Sequence, residues 1–274
     1  MDVIQAIIVG IVQGLTEFLP ISSSAHLVFV QHLLNVDHSI SFDVLLHLGT
    51  LAAVFGYYIK DIIAMIKAFF LSLKDLFKGE FKKGIKEDSY KKLVWMVLIG
   101  TIPVGCIGVV FNDFVEATFQ SLMIPGFFLL ITGILLYASQ RMNNGDITVE
   151  NMGIKQTIYI GIGQALAIFP GLSRSGTTIS TGLLAGLDKE FAAKFSFLLS
   201  IPAILGATVV QLTGIESGFG SNMLPYVAGF IAAAISGYLA ISLLIRLIKE
   251  KSLDGFAYYC WIVGAFVLVY LIFF

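Results

Sequence analysis

Gln13-Gly14-Leu15-Thr16-Glu17-Phe18-Leu19-Pro20-Ile21-Ser22-Ser23-Ser24-Ala25-His26 sets a carboxylate, three adjacent hydroxyls and an imidazole inside otherwise apolar sequence. A partial copy follows about 150 residues later, Gly161-Ile162-Gly163-Gln164-Ala165-Leu166-Ala167-Ile168-Phe169-Pro170-Gly171-Leu172-Ser173-Arg174-Ser175-Gly176-Thr177-Thr178. Gln13 aligns with Gln164, Pro20 with Pro170 and, with one gap, the Ser23 region with the Ser173 region. Downstream, Phe42-Asp43-Val44-Leu45-Leu46 answers Phe195-Ser196-Phe197-Leu198-Leu199. The pattern predicts an internal duplication with one site assembled from both copies.

Composition fixes the surroundings of that site. The 274 residues are 57% hydrophobic and 13% charged, with a mean hydropathy of +0.91. Charge this sparse does not cover the surface of a water-soluble globule, so the chain reads as an integral membrane protein. The formal net charge is −1. Apart from Arg174, the basic residues sit between apolar segments, which leaves no stripe for nucleic acid. Cys106 and Cys260 fall inside apolar segments and read as buried small hydrophobes rather than a disulfide. The N-terminus lacks the basic region of a secretory signal peptide and is expected to stay in the mature fold.

The apolar runs on either side of Pro20 are too short to cross about 30 Å of hydrocarbon at 1.5 Å per residue. Two short helices hinged at Pro20 predict a re-entrant hairpin over 3–34, in preference to one long kinked span, because the pattern recurs over 156–187 around Pro170-Gly171. Six segments are long enough to span: 42–59, 93–111, 122–139, 195–212, 226–245 and 256–274. Each half, 1–140 and 153–274, thus carries one hairpin and three spans. An odd number of spans turns the second copy over in the membrane, an inverted-topology repeat. The basic residues give an independent indication. Nine lysines lie between 60 and 92, followed by Arg141, Lys155, Lys189, Lys194, Arg246, Lys249 and Lys251, whereas the remaining connections have no Lys or Arg. The positive-inside rule then puts the Lys-rich connections in the cytoplasm and both termini outside. The hairpins enter from opposite sides and their tips meet near the midplane. Lys60, Lys67, Lys74 and Lys78 recur amid apolar residues, an amphipathic helix on the cytoplasmic face or a cytoplasmic extension of the first span. A solvated basic face is favoured there over recognition of anionic lipid.

Arg174 is the one basic side chain inside an apolar segment, and an intramembrane charge marks a functional site by default. Ser173, Ser175, Gly176 and Thr178 open a half-helix around it, whose free N–H groups favour an anion. A guanidinium fork among hydroxyl and amide donors describes a phosphate pocket; the bland alternative is a buried ion pair of Arg174 with Glu17. On the first hairpin, Gln13 and Glu17 share one helix face, and Ser23 and His26 another. Hydroxyl beside imidazole suggests a nucleophile and its base. Ser22 and Ser24 are expected as caps or donors. His47, His32 and His38 receive no role, and Asp43 and Asp188 are expected to cap helices. No phosphate-binding Gly-rich loop, zinc spacing or dinucleotide fingerprint is present.

Together the motifs Gln13 to His26 and Pro170-Gly-Leu-Ser173-Arg174-Ser-Gly-Thr-Thr178 resemble the undecaprenyl-diphosphate phosphatase, or bacitracin-resistance, family, and the resemblance runs over essentially the whole chain. It implies a bacterial inner-membrane enzyme that hydrolyses the polyprenyl diphosphate released by cell-wall synthesis to the monophosphate carrier. It further implies an inverted-repeat fold, frequent homodimers, competition from bacitracin for the substrate, and dependence on Mg²⁺ or Ca²⁺. Glu17, Ser23, His26, Ser173, Arg174 and Thr178 line the site by position, with Gln13, Ser22, Ser175 and Gly176 beside them. Many relatives carry Glu where this chain has Gln13, though the family pattern admits Gln, so a second carboxylate is not required. On this reading Ser23 is the nucleophile and His26 its base, with direct attack by His26 or an activated water as alternatives. Glu17 either coordinates the cation or orients His26, and most of the cation's ligands come from diphosphate and water. The rival class is a transporter or flippase of an anionic lipid, which needs Arg174 and helix dipoles but no nucleophile and base.

Overall fold

The computed structural model describes residues 1–36, 39–111, 118, 121, 123–142, 145–212, 223–250 and 252–273. His38, Lys251 and the terminal positions 122 and 274 of two expected spans lie outside them. Eleven helices carry the argument: α1 (Val3–Phe18), α2 (Ser23–Leu33), α3 (Ile40–Phe77), α4 (Phe81–Glu87), α5 (Ser89–Val110), α6 (Met123–Met142), α7 (Ile154–Leu166), α8 (Arg174–Leu184), α9 (Lys189–Leu212), α10 (Leu224–Glu250) and α11 (Asp254–Phe273). Six of these, α3, α5, α6, α9, α10 and α11, are long and apolar enough to cross a membrane. They contain or match the six spans read from the sequence. The chain is an all-α polytopic membrane protein.

Local chemistry accounts for the breaks. Asp2 accepts the backbone N–H of Gln5 at 2.8 Å while the Gln5 side chain accepts the N–H of Asp2 at 2.9 Å, a capping box that starts α1. Leu19, held extended by the following Pro20, ends it. Ser22 caps α2 and Ser173 caps α8. The apolar pattern around Pro20 is therefore two helices packed on each other, not one kinked span, and α7 and α8 repeat the arrangement around Pro170-Gly171. Asp188 caps α9 by accepting the N–H groups of Glu190 and Phe191, each at 3.0 Å. Asp43 does not cap: Ser39 caps α3, and Asp43 accepts from the Gln31 amide at 2.8 Å. Cys260 is buried, but Cys106 is exposed on the apolar span α5. Burial against protein is not needed for an apolar thiol where lipid is the solvent.

Packing relates the halves. α1 packs on α10 as α7 packs on α5; α3 packs on α10 as α9 packs on α5; α6 with α11, and α3 with α9, pair each element with its own counterpart. Two glycines at corresponding positions let the helices cross closely. A Cβ on Gly10 would stand 2.4 Å from the Gly229 carbonyl oxygen, and one on Gly161 would stand 2.6 Å from that of Gly100. Each glycine lies three residues before the aligned glutamine of its half. Gly161→Val should force α7 off α5 and destabilise by about 1–3 kcal/mol, read as a lowered thermal midpoint of the detergent-solubilised protein. Between the halves Phe18 meets Phe197 edge-on at 5.5 Å, both fully buried.

Candidate active site

The α1–α2 and α7–α8 hairpins touch at their tips. Ser175 Oγ donates to the Leu19 carbonyl at 3.2 Å, and the Gly171 N–H donates to Ser24 Oγ at 3.3 Å. Gly171 has φ +96°, and a Cβ there would lie 2.3 Å from the Pro125 carbonyl oxygen on α6, so the second tip closes only on glycine. Thr132 of α6 secures it further: its hydroxyl donates to the Gly171 carbonyl and accepts the Ser173 N–H, both at 3.1 Å. In the first tip Ser22 holds φ +70°, an uncommon backbone for a non-glycine residue. It is fixed from both ends. Ser22 Oγ accepts the Ala25 N–H, and His26 Nδ1 donates to the Ser22 carbonyl at 2.8 Å.

Glu17 is the hub, with its carboxylate only 6% exposed. Oε1 accepts from Arg174 Nη2 at 2.6 Å. Oε2 accepts from Ser23 Oγ at 2.6 Å and from Gln13 Nε2 at 3.0 Å. The ion pair of Arg174 with Glu17, weighed as the alternative to a phosphate pocket, thus exists, but it does not exhaust the arginine, because Nη1 is buried with no partner. Beside the pair lies a pocket of about 140 Å³. Its polar wall is Glu17, Ser22, Ser23, Ser24, Ser173 and Arg174, joined by His47; Ala167, Ile168 and Leu172 form the apolar side.

Several expected residues stand behind this wall rather than in it. Gln13 is fully buried and reaches the site only through Glu17. Thr178 donates to the Arg174 carbonyl at 2.7 Å and meets Ser196 Oγ at 2.6 Å, spending its hydroxyl on the start of α8. Ser175 links the tips, and the Gly176 N–H donates to the Ser173 cap. His26 shares its helix with Ser23, yet its ring points elsewhere. Nε2 meets the Tyr259 hydroxyl at 2.7 Å, and the two rings stack 15° apart. The acceptor held by Ser23 is Glu17. Tyr259→Phe should leave the activity of the site within about tenfold of the parent, since one neutral hydrogen bond contributes roughly 1 kcal/mol, as initial rates would show.

His47 is what the sequence reading missed. It projects from α3 with Nε2 3.9 Å from Glu17 Oε2, while Nδ1 donates to the Asp43 carbonyl at 2.7 Å. Glu17 lies thirty residues away in the chain, so no local cluster announced the contact. The available signal was an ionisable side chain inside the first apolar span, which marks function as Arg174 does.

This donor set does not suit a divalent cation bound by protein alone. Among the described residues no group of three or more His, Cys, Asp or Glu side chains stands ready for a metal. Both oxygens of the one central carboxylate already accept hydrogen bonds, one of them from a guanidinium. A guanidinium 2.6 Å away also repels a metal ion.

The chain matches a family model described as bacitracin resistance protein BacA over residues 6–266. A protein of Methanobrevibacter smithii named undecaprenyl-diphosphatase is 60% identical over 270 residues, covering 98% of both chains. Proteins of the same name are 47% identical in Methanosphaera stadtmanae, over 98% of both chains, and 45% identical in Alkaliphilus metalliredigens, over 98% of this chain and 99% of that one. A match of this extent, on a chain whose two polar hairpins meet around one pocket, settles the relationship: the chain belongs to the BacA bacitracin-resistance family.

Proposed function

We infer that this protein is a membrane hydrolase that converts undecaprenyl diphosphate to undecaprenyl phosphate and inorganic phosphate, recycling the lipid carrier of cell-wall synthesis and thereby conferring bacitracin resistance. The observation that carries the chemistry is the buried chain Ser23–Glu17–Arg174, with one arginine nitrogen left over for an anion. The diphosphate enters the pocket with its lipid tail toward the apolar side. The free Nη1 of Arg174 and the first N–H groups of α8 meet the terminal phosphoryl group and stabilise the charge it carries in the transition state. Ser23 Oγ attacks that phosphorus as its proton passes to Glu17 Oε2, and undecaprenyl phosphate leaves. Water then cleaves the phosphoserine and releases phosphate, and Ser23 regains its proton. His26 acts as a positioning residue whose ring holds the backbone carbonyl of Ser22 and ties the tip to Tyr259 of α11. Any divalent cation used in turnover arrives with the diphosphate, so calorimetric titration of the lipid-free protein with Mg²⁺ or Ca²⁺ should show no saturable binding.

The hairpins are re-entrant and the halves inverted in this reading, supported by the helix lengths, the exchange of packing partners between halves and the alternation of basic connections. Both termini and the pocket mouth then face outward in the cytoplasmic membrane. Two copies associate as a homodimer, as the family resemblance implies, and bacitracin competes by sequestering the substrate. A flippase is not favoured, because transport of an anion has no use for a hydroxyl held at 2.6 Å by a carboxylate. The test is phosphate release from a C15 or C55 prenyl diphosphate by purified protein. One phosphate per lipid is expected; tight lipid binding without release would reduce the site to a receptor.

A further inference from the structure

We propose that the distal half of α3 is an interfacial platform that binds anionic lipid headgroups. The helix is 38 residues long, far more than a membrane crossing needs, and its backbone leaves helical geometry at Tyr58, two residues before the first lysine. Beyond that kink it runs across the end of α5 rather than alongside it. Tyr90 and Lys91 are adjacent on α5, yet Tyr90 Oη donates to Asp61 at 2.9 Å and Lys91 Nζ to Asp75 at 2.6 Å. Those partners are fourteen residues apart on α3, about 21 Å at 1.5 Å per residue. Neighbouring side chains reach such separated points only if the helices cross steeply. With α5 spanning the bilayer, this part of α3 lies close to the membrane plane.

Its faces suit that position. Ile62, Met65, Ala68 and Ser72 are buried against the protein. Ile59, Ile63, Ile66, Phe70 and Phe77 are exposed, Phe70 by 64% and Phe77 by 90%, and recur at helical steps of four, three, four and seven, a single apolar row. Lys60, Lys67, Lys74 and Lys78 form a second exposed row about 80° round the helix. No ion pair among the described residues engages them. The two carboxylates on the same stretch are taken: Asp61 by Lys194 at 2.6 Å and Asp75 by Lys91 at 2.6 Å. An apolar row beside an unpaired basic row is the arrangement of a helix seated at the headgroup boundary, with the stems of the lysines following the apolar surface and their ammonium groups at lipid phosphates. An acidic protein partner would meet the lysines but leave Phe70 and Phe77 in water.

The experiment compares the motional restriction of spin-labelled phosphatidylglycerol and phosphatidylcholine around the full-length protein in bilayers. Phosphatidylglycerol should associate about threefold or more in excess at low salt, and the preference should shrink as NaCl rises. The quadruple Lys→Gln variant at positions 60, 67, 74 and 78 should lose most of it and the quadruple Lys→Arg variant should keep it, while both still release phosphate. Equal association of the two lipids, or a preference that survives the Lys→Gln changes, would overturn the proposal.

Discussion

Arg174→Ala should lower kcat/KM for a prenyl diphosphate by about a thousandfold or more. Removing one preorganised donor from a transition-state oxyanion costs roughly 10²–10³ in rate, and here the donor is a full charge in an apolar setting. The same change strands Glu17, which is 6% exposed and has Arg174 as its nearest cation. Breaking a buried pair on one side typically costs about 3–5 kcal/mol, so a loss of folding has to be separated from a loss of chemistry. Thermal midpoints do so: the double variant Glu17→Gln/Arg174→Ala, which strands no charge, should recover much of the stability that Arg174→Ala loses, and turnover is then compared only among variants that stay folded. Arg174→Lys should hold the pair but lack the second arm of the fork, because an ammonium bound to Glu17 Oε1 has no equivalent of the unpartnered Nη1. Its turnover should lie well below the parent. Near-normal rates in Arg174→Ala would remove the anion pocket from the mechanism.

Ser23→Ala should have the second large effect, reducing phosphate release to the level of buffer while leaving lipid diphosphate binding within a few-fold. Its hydroxyl is the donor held at 2.6 Å by a buried carboxylate and it lines the pocket; deletion of a nucleophile of this kind can cost as much as about 10⁶ in kcat. Glu17→Gln should fall nearly as far, since an amide oxygen accepts the Ser23 hydrogen bond but takes no proton. The comparison with His26→Ala is informative. His26 reaches Ser22 and Tyr259 rather than Ser23, so its loss should act by loosening the tip and should cost less than the loss of Ser23. A phosphoserine trapped by acid quench in the parent and absent from Ser23→Ala would place the covalent step on that oxygen. Substantial turnover by Ser23→Ala would transfer the attack to water or imidazole.

The sequence by itself determined the class, the breaks and most of the polar cast. Sparse charge and apolar run lengths depend only on composition and the thickness of a bilayer, so six spanning helices and two broken pairs were legible without coordinates. Pro20 and Pro170-Gly171 act on the local backbone, and the structure ends α1 and α7 just before them. Arg174 and Glu17 stood out because an intramembrane charge requires a reason wherever it sits. Pairing was another matter. The Ser23 and His26 spacing says that two side chains share a helix, not which way either turns, and tertiary contacts sent one to Glu17 and the other to Tyr259, 233 residues away. His47 came into the pocket because α3 packs against α1, a contact between segments that local pattern does not encode. Gln13 and Thr178 moved from the pocket to its support for the same reason: hydrogen bonding and burial depend on what the neighbouring helices bring, and that is settled only when the two hairpin tips close on each other.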